Sequence, residues 1–162
     1  MRRRTLLAGS AMGGVLALAA LGRRTPAKAA AMGNFPVAKS DAEWRRVLTP
    51  AQYEILRQQG TERPESSSLD HETARGTYFC AGCQTAKYSS DTKFDSGTGW
   101  PSFWQPLPGA IQVASDNSLG MSRDEVHCAN CGGHLGHVFN DGPKPTGLRY
   151  CMNGYALTFK AA

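Results

Sequence analysis

From Ser40 onward, the spacing of apolar and polar positions divides the chain into a short helical start and a longer β-rich remainder. Ser40-Asp41-Ala42-Glu43 has the capping-box pattern, and Trp44, Val47 and Leu48 are spaced to make one apolar face. Thr49 then caps a second helix with Pro50 at its first position; Tyr53, Ile55 and Leu56 face inward and Gly60 ends it. The polar, turn-forming stretch from Thr61 to Ala74 reads as a connecting loop without visible chemistry. Beyond Gly76 the pattern shortens to β-type runs: Thr77 to Cys80, Ala86 to Ser89, Ile111 to Ala114, Glu125 to Cys128, His134 to Phe139, Leu148 to Asn153 and Ala156 to Phe159. Gly and Pro turns separate them, which predicts a mainly β domain over residues 40–162, a small antiparallel sheet or barrel behind N-terminal helices.

The stretch before this domain has a different character. Arg2, Arg3 and Arg4 precede Thr5-Leu6-Leu7, a mildly apolar, Gly-containing run extends from Leu6 to Gly22, and Arg23-Arg24 and Ala27-Lys28-Ala29 follow. This order resembles a twin-arginine signal with a cleavage site after Ala29, so residues 1–29 are expected to direct export to the periplasm and residues 30–39 to act as a linker. The alternative is an uncleaved membrane anchor. Twin-arginine export moves folded protein, so thiols can bind metal before they meet an oxidising compartment.

Charge changes its meaning once this segment is set aside. The net charge of +5 looks like a nucleic-acid or membrane signature. Six of the 18 Lys and Arg residues lie before Ala30, however, leaving 12 against 13 acids in the remainder, a net of −1. A nucleic-acid partner is therefore not expected. With 162 residues, 41% of them hydrophobic, the chain suits one domain with a single core, and a monomer is expected.

Four of the five cysteines form a doubled motif, Cys80-x-x-Cys83 and Cys128-x-x-Cys131. Two residues between thiolates let a tight turn aim both sulfurs at one ion, so the pairs can close a tetrahedral site for one structural zinc ion. The alternative in an exported protein is two disulfides. Cys151 stands apart from both pairs.

The stretches "FDSGTGWPSFW" (Phe94 to Trp104), "HCANCGGHLGHVFNDGP" (His127 to Pro143) and "GLRYCMN" (Gly147 to Asn153) together resemble the methionine sulfoxide reductase B family. The match runs from Leu48 to Phe159. It implies reduction of the R epimer of methionine sulfoxide, in oxidised proteins or as the free amino acid, with Cys151 as nucleophile, His137 as the main candidate acid and His134 assisting. A thiolate is the best protein nucleophile for an activated sulfoxide sulfur, and imidazole titrates near neutral pH. Asn153 is placed to donate to the sulfoxide oxygen or orient an imidazole, Trp100 to wall the substrate methyl group, and Arg149 to favour the thiolate. Many family members carry a resolving cysteine where this chain has Thr98. Its absence implies recycling by an external thiol, such as a thioredoxin-like donor, or by a released zinc-ligand cysteine.

Each residue also has a plainer reading. A lone strand cysteine is commonly a small buried hydrophobe, and His134 or His137 could be metal ligands or core groups. His71 and His127 fit no motif and read as surface or structural, while Trp44 and Trp104 read as core. Two other functions share these residues: a zinc-knuckle binding module, and a hydrolase using Cys151, His137 and Asn153 as an acyl-transfer triad.

Overall fold

A computed structural model describes residues 35–117, 120 and 122–162. The expected signal lies outside these residues. Among them, no helix is long and apolar enough to cross a membrane.

Two capped helices open the domain. Helix α1 spans Asp41–Val47, and Ser40 Oγ accepts from the Glu43 amide while Glu43 accepts from the Ser40 amide at 2.7 Å. Helix α2 spans Pro50–Gln58, with Thr49 and Gln52 making the same reciprocal pair. Each box satisfies donors that the first helical turn leaves without intrahelical partners. The second helix stops at Gln59, which takes the left-handed conformation at φ 56 one residue before the expected glycine. Val47 does not join an apolar face: it is 57% exposed, while Trp44 and Leu48 are buried. Helix α1 has only two turns, and Leu48 reaches the core from the extended residue that caps it.

Nine strands follow among the described residues: β1 Gly76–Cys80, β2 Ala86–Ser89, β3 Lys93–Phe94, β4 Ser102–Phe103, β5 Ile111–Asp116, β6 Arg123–Cys128, β7 His134–Phe139, β8 Arg149–Met152 and β9 Leu157–Ala161. They form a three-stranded sheet in the order β2-β1-β9 and a six-stranded sheet in the order β3-β4-β8-β7-β6-β5. Every pairing is antiparallel. The mainly β architecture is as expected, with β3 and β4 added. Two residues each are too few to show an alternating pattern.

The core lies where the sheets and helices meet. Phe103 is fully buried, stacked on Tyr88 with ring centroids 4.3 Å apart and edge-on to Tyr78 at 4.9 Å. The Tyr88 hydroxyl donates to Met152 Sδ at 3.1 Å. Tyr53, Ile55 and Leu56 of α2 belong to the same core, as does Trp44. Trp104, by contrast, is partly exposed and outside this cluster. Its main chain explains its position, since the Trp104 amide donates to Thr92 and its carbonyl accepts from Thr146 at the outer side of β4. Upstream of the helices, the Val37 amide donates to the Asn130 carbonyl and the Phe35 ring meets His127 edge-on at 5.8 Å. A side chain at Gly132 would collide with that same Phe35 ring.

Strand β8 turns this packing into function. Tyr150 and Met152 point into the core, so alternation leaves Arg149 and Cys151 on the partly open face. Phe103 on the neighbouring strand pairs with Tyr150 and shares its core. Phe103→Ala is expected to cost about 3–5 kcal/mol, read as a lower denaturant midpoint at unchanged slope; a loss below about 1 kcal/mol would show that the aromatic stack contributes little.

Candidate active site and metal centre

The two cysteine pairs converge although 44 residues separate Cys83 from Cys128. Cys80 ends β1 and Cys128 ends β6, so each pair begins where a strand gives way to a turn. In the first turn the Gln84 amide donates to the Cys80 carbonyl, and in the second the Gly132 amide donates to Cys128, both at 2.8 Å. Gln84 and Gly132 take left-handed φ values of 58 and 66. Glycine reaches that conformation without strain, whereas Gln84 must be held there.

All four sulfurs lie within 4.8 Å of one another. Cys83 and Cys128 approach to 3.5 Å, and Cys80 and Cys131 to 3.7 Å. These separations far exceed a disulfide bond of about 2.05 Å. They match the roughly 3.8 Å between corners of a tetrahedron with metal–sulfur bonds of about 2.3 Å. As thiols alone, the four are electrostatically divided: hydrogen bonds from Cys131, Cys80 and Cys83 push the Cys128 thiol far down, whereas contact with Cys128, Cys131 and Cys83 pushes Cys80 well up. A divalent cation would let all four carry charge. The donor set and spacing therefore fit a metal ion, with Cys80, Cys83, Cys128 and Cys131 as ligands.

Strand register builds the second site. His137 on β7 is the direct partner of Cys151 on β8, and Ser102 on β4 faces Cys151 from the other side. A cavity of about 160 Å³ opens here, lined by Cys151, His137, Asn153 and Trp100 together with Phe139 and Arg123. Four side chains singled out in the sequence thus meet in one place. Gly136, also in the lining, has no room for a side chain, because a Cβ would lie 2.1 Å from the Cys151 carbonyl oxygen.

The cavity lining mixes ionisable groups with aromatic rings. His137 Nε2 lies 2.9 Å from Asp116, whose same oxygen is 2.7 Å from Arg123. Burial pushes the His137 pKa down, and the Asp116 carboxylate works against that shift. His134 is not in the lining; it is 3% exposed, its Nδ1 is paired with Glu125 at 2.8 Å, and its ring stands edge-on to His137 at 5.3 Å. Arg149 is held by Asp141 through two hydrogen bonds of 2.9 and 2.8 Å and lies over the Phe139 ring.

Burial raises the pKa of the Cys151 thiol, while the Arg149 charge and the hydroxyls of Thr98 and Ser102 oppose that rise. Thr98 Oγ1 lies 4.0 Å from the sulfur, and Ser96 bridges Thr98 and Ser102 at 2.8 and 2.7 Å. Asn153 is buried, with its Oδ1 accepting from the Glu62 amide and its Nδ2 donating to the Leu135 carbonyl. Those bonds anchor the side chain to the main chain and leave His137 to Asp116, so an acyl-transfer triad of Cys151, His137 and Asn153 lacks its orienting contact.

Sequence reasoning passed over Asp116, Glu125 and Asp141, the carboxylates that hold His137, His134 and Arg149. They lie 21, 9 and 8 residues from their partners, separations set by hairpin register. Phe139 and Arg123 were missed as lining for the same reason.

Comparison with known proteins places this geometry. Residues 48–161 match the family model described as the SelR domain. A peptide methionine sulfoxide reductase MsrB of Agrobacterium fabrum is 57% identical over 125 residues, covering 76% of this chain and 93% of the relative. The protein of that name from Leptospira interrogans is 55% identical, covering 78% and 98%, and that of Methanosarcina barkeri 53% identical, covering 80% and 92%. A match across the whole two-sheet domain, including both cysteine pairs and Cys151, means that the chain belongs to the SelR domain family of MsrB methionine sulfoxide reductases.

Proposed function

We propose that this protein is a peptide-methionine (R)-S-oxide reductase that returns the R epimer of methionine sulfoxide, in proteins or free, to methionine. The observation that carries the reading is the β7–β8 register, which sets an imidazole opposite the one cysteine outside the metal cluster. Cys151 attacks the sulfoxide sulfur as His137 gives a proton to its oxygen; an S–S bond forms, the S–O bond breaks and the oxygen leaves with a second proton as water, and a water molecule then attacks the Cys151 sulfur, breaking the S–S bond to release methionine and leave a sulfenic acid. The thiolate is needed for only that moment, and Arg149 with the two hydroxyls favours it against burial. Trp100 and Phe139 offer apolar walls for the substrate methyl group, and His134 supports the His137 ring from behind. A first external thiol then condenses with the sulfenic acid to give a mixed disulfide and water, and a second releases free Cys151. A thioredoxin-like protein fits that role.

The four-cysteine cluster supports one structural zinc ion as its occupant, giving the two sheets a common anchor and taking no part in the reaction. Export through the twin-arginine route, removal of residues 1–29, a linker over 30–39, a periplasmic location and a monomeric state complete the proposal. They rest on the sequence order of Arg2 to Ala29 and on the near-neutral charge of the remainder.

Cys151→Ser is expected to abolish reduction of methionine (R)-sulfoxide with dithiothreitol as donor, while melting temperature and bound metal stay at the parent level. Residual turnover at the parent rate would remove Cys151 from the chemistry. For the metal centre, Cys128→Ser should release the ion and much of the folding free energy it supplies, which is of order ~10 kcal/mol in small zinc sites; metal analysis and thermal melts read this, and parent protein without metal would overturn the assignment. Thr98→Cys tests recycling. The Thr98 hydroxyl lies 4.0 Å from the Cys151 sulfur, about 2 Å more than an S–S bond, so one turnover without reductant should yield a disulfide between the introduced thiol and Cys151 in the variant, and a dimedone-reactive Cys151 in the parent. A parent disulfide from Cys151 to Cys80, Cys83, Cys128 or Cys131 would instead make a metal ligand the resolving thiol.

A further inference from the structure

The loop from Thr61 to Ala74 looked empty of chemistry, yet it contains a buried carboxylate whose every polar group is engaged. Glu62 is 8% exposed, and its two oxygens accept from the main-chain amides of Gly154 and Tyr155 at 2.7 and 2.8 Å. Those residues form the single turn of 3-10 helix that follows Asn153. The main chain of Glu62 is equally committed, because its amide donates to Asn153 Oδ1 at 3.0 Å and its carbonyl accepts from Trp100 Nε1 at 3.2 Å. Next to it, Thr61 lines the cavity. A second tie fastens the same loop to the Trp100 segment: the Glu65 amide donates to the Gly99 carbonyl at 2.7 Å.

One residue thus touches the polar wall of the cavity, its aromatic wall and the turn that ends the nucleophile's strand. Each contact has limited tolerance. Two convergent N–H donors need two acceptor oxygens, which a carboxylate has and a carboxamide does not. The turn itself has no slack, since a Cβ on Gly154 would lie 2.1 Å from Ser67 Oγ.

Building on the reductase reading above, we propose that Glu62 is a positioning residue of the active site. Its carboxylate clamps the turn after Asn153, and its main chain, fixed by that clamp, sets Trp100 and Asn153 relative to Cys151. Displacement of a positioning contact by about 1 Å can cost ~10²-fold in rate.

The test compares purified, metal-loaded parent enzyme with Glu62→Gln and Glu62→Asp, using methionine (R)-sulfoxide and dithiothreitol at a temperature where circular dichroism reports the native fold. The Trp100 indole and Asn153 carboxamide resonances are followed by nitrogen-15 NMR. Glu62→Gln should lower kcat/KM by about 10- to 100-fold and move both resonances, because its NH₂ group must face one of the two amide donors. Glu62→Asp keeps the charge but is one methylene shorter; it should show a smaller loss, and it decides the question if the Gln variant fails to fold. Kinetics within about twofold of the parent, with only the melting temperature reduced, would overturn the proposal and leave Glu62 a residue of the fold. If the parent itself turns over no sulfoxide, the functional reading falls, and unmoved resonances in the variants would then refute the positioning role separately.

Discussion

The convergence of four sulfurs is the constraint on which the remaining geometry rests. Cys80 and Cys83 belong to the end of the three-stranded sheet, and Cys128 and Cys131 to a hairpin of the six-stranded sheet. Holding them within 4.8 Å fixes one sheet against the other. The adjoining β6–β7 hairpin carries Glu125, His134 and His137 in register, so the placement of the imidazoles is a direct extension of the cluster. Arg57 of α2 adds a hydrogen bond to the Cys131 carbonyl while its guanidinium covers Trp44, which brings the helices into the same frame.

A second theme is the conflict between burial and charge. Cys151 lies in a setting that raises its pKa, and His137 in one that lowers its own; both shifts favour the neutral pair. Opposing charges are supplied one step back, by Arg149 on the thiol side and Asp116 on the imidazole side. Arg149 and Asp116 are in turn held by Asp141 and Arg123. In the mechanism proposed above, countercharges set in place beforehand let a proton move toward a developing anion with little rearrangement of surroundings.

Much of this was legible from the chain. Capping boxes at Ser40 and Thr49 use local hydrogen bonds within three residues, and seven β-type runs carry enough alternation to be recognised, so both survived the passage to three dimensions. Val47 failed because periodicity assumes a helix long enough to present a face. Paired cysteines announced a cluster, and the motifs around Trp100, His137 and Cys151 announced a cavity. What stayed hidden depends on register and close approach: Asp116 and Asp141 become partners of His137 and Arg149 only after hairpins fold, and Glu62 meets Gly154 across 92 residues. No one-dimensional pattern encodes such pairings.

Met152 directly follows Cys151 and is completely buried, with its thioether covered by the Tyr88 hydroxyl. A catalyst that meets oxidants in its own surroundings is vulnerable to the lesion it removes, since a sulfoxide inside a packed core brings a polar oxygen where none can be accommodated. In the mechanism proposed above, sealing this sulfur beneath the sheet, one residue from the partly exposed Cys151 thiol, separates the part that is consumed and renewed from the part that must not react. Strand alternation thus keeps Met152 from becoming a substrate of its own domain.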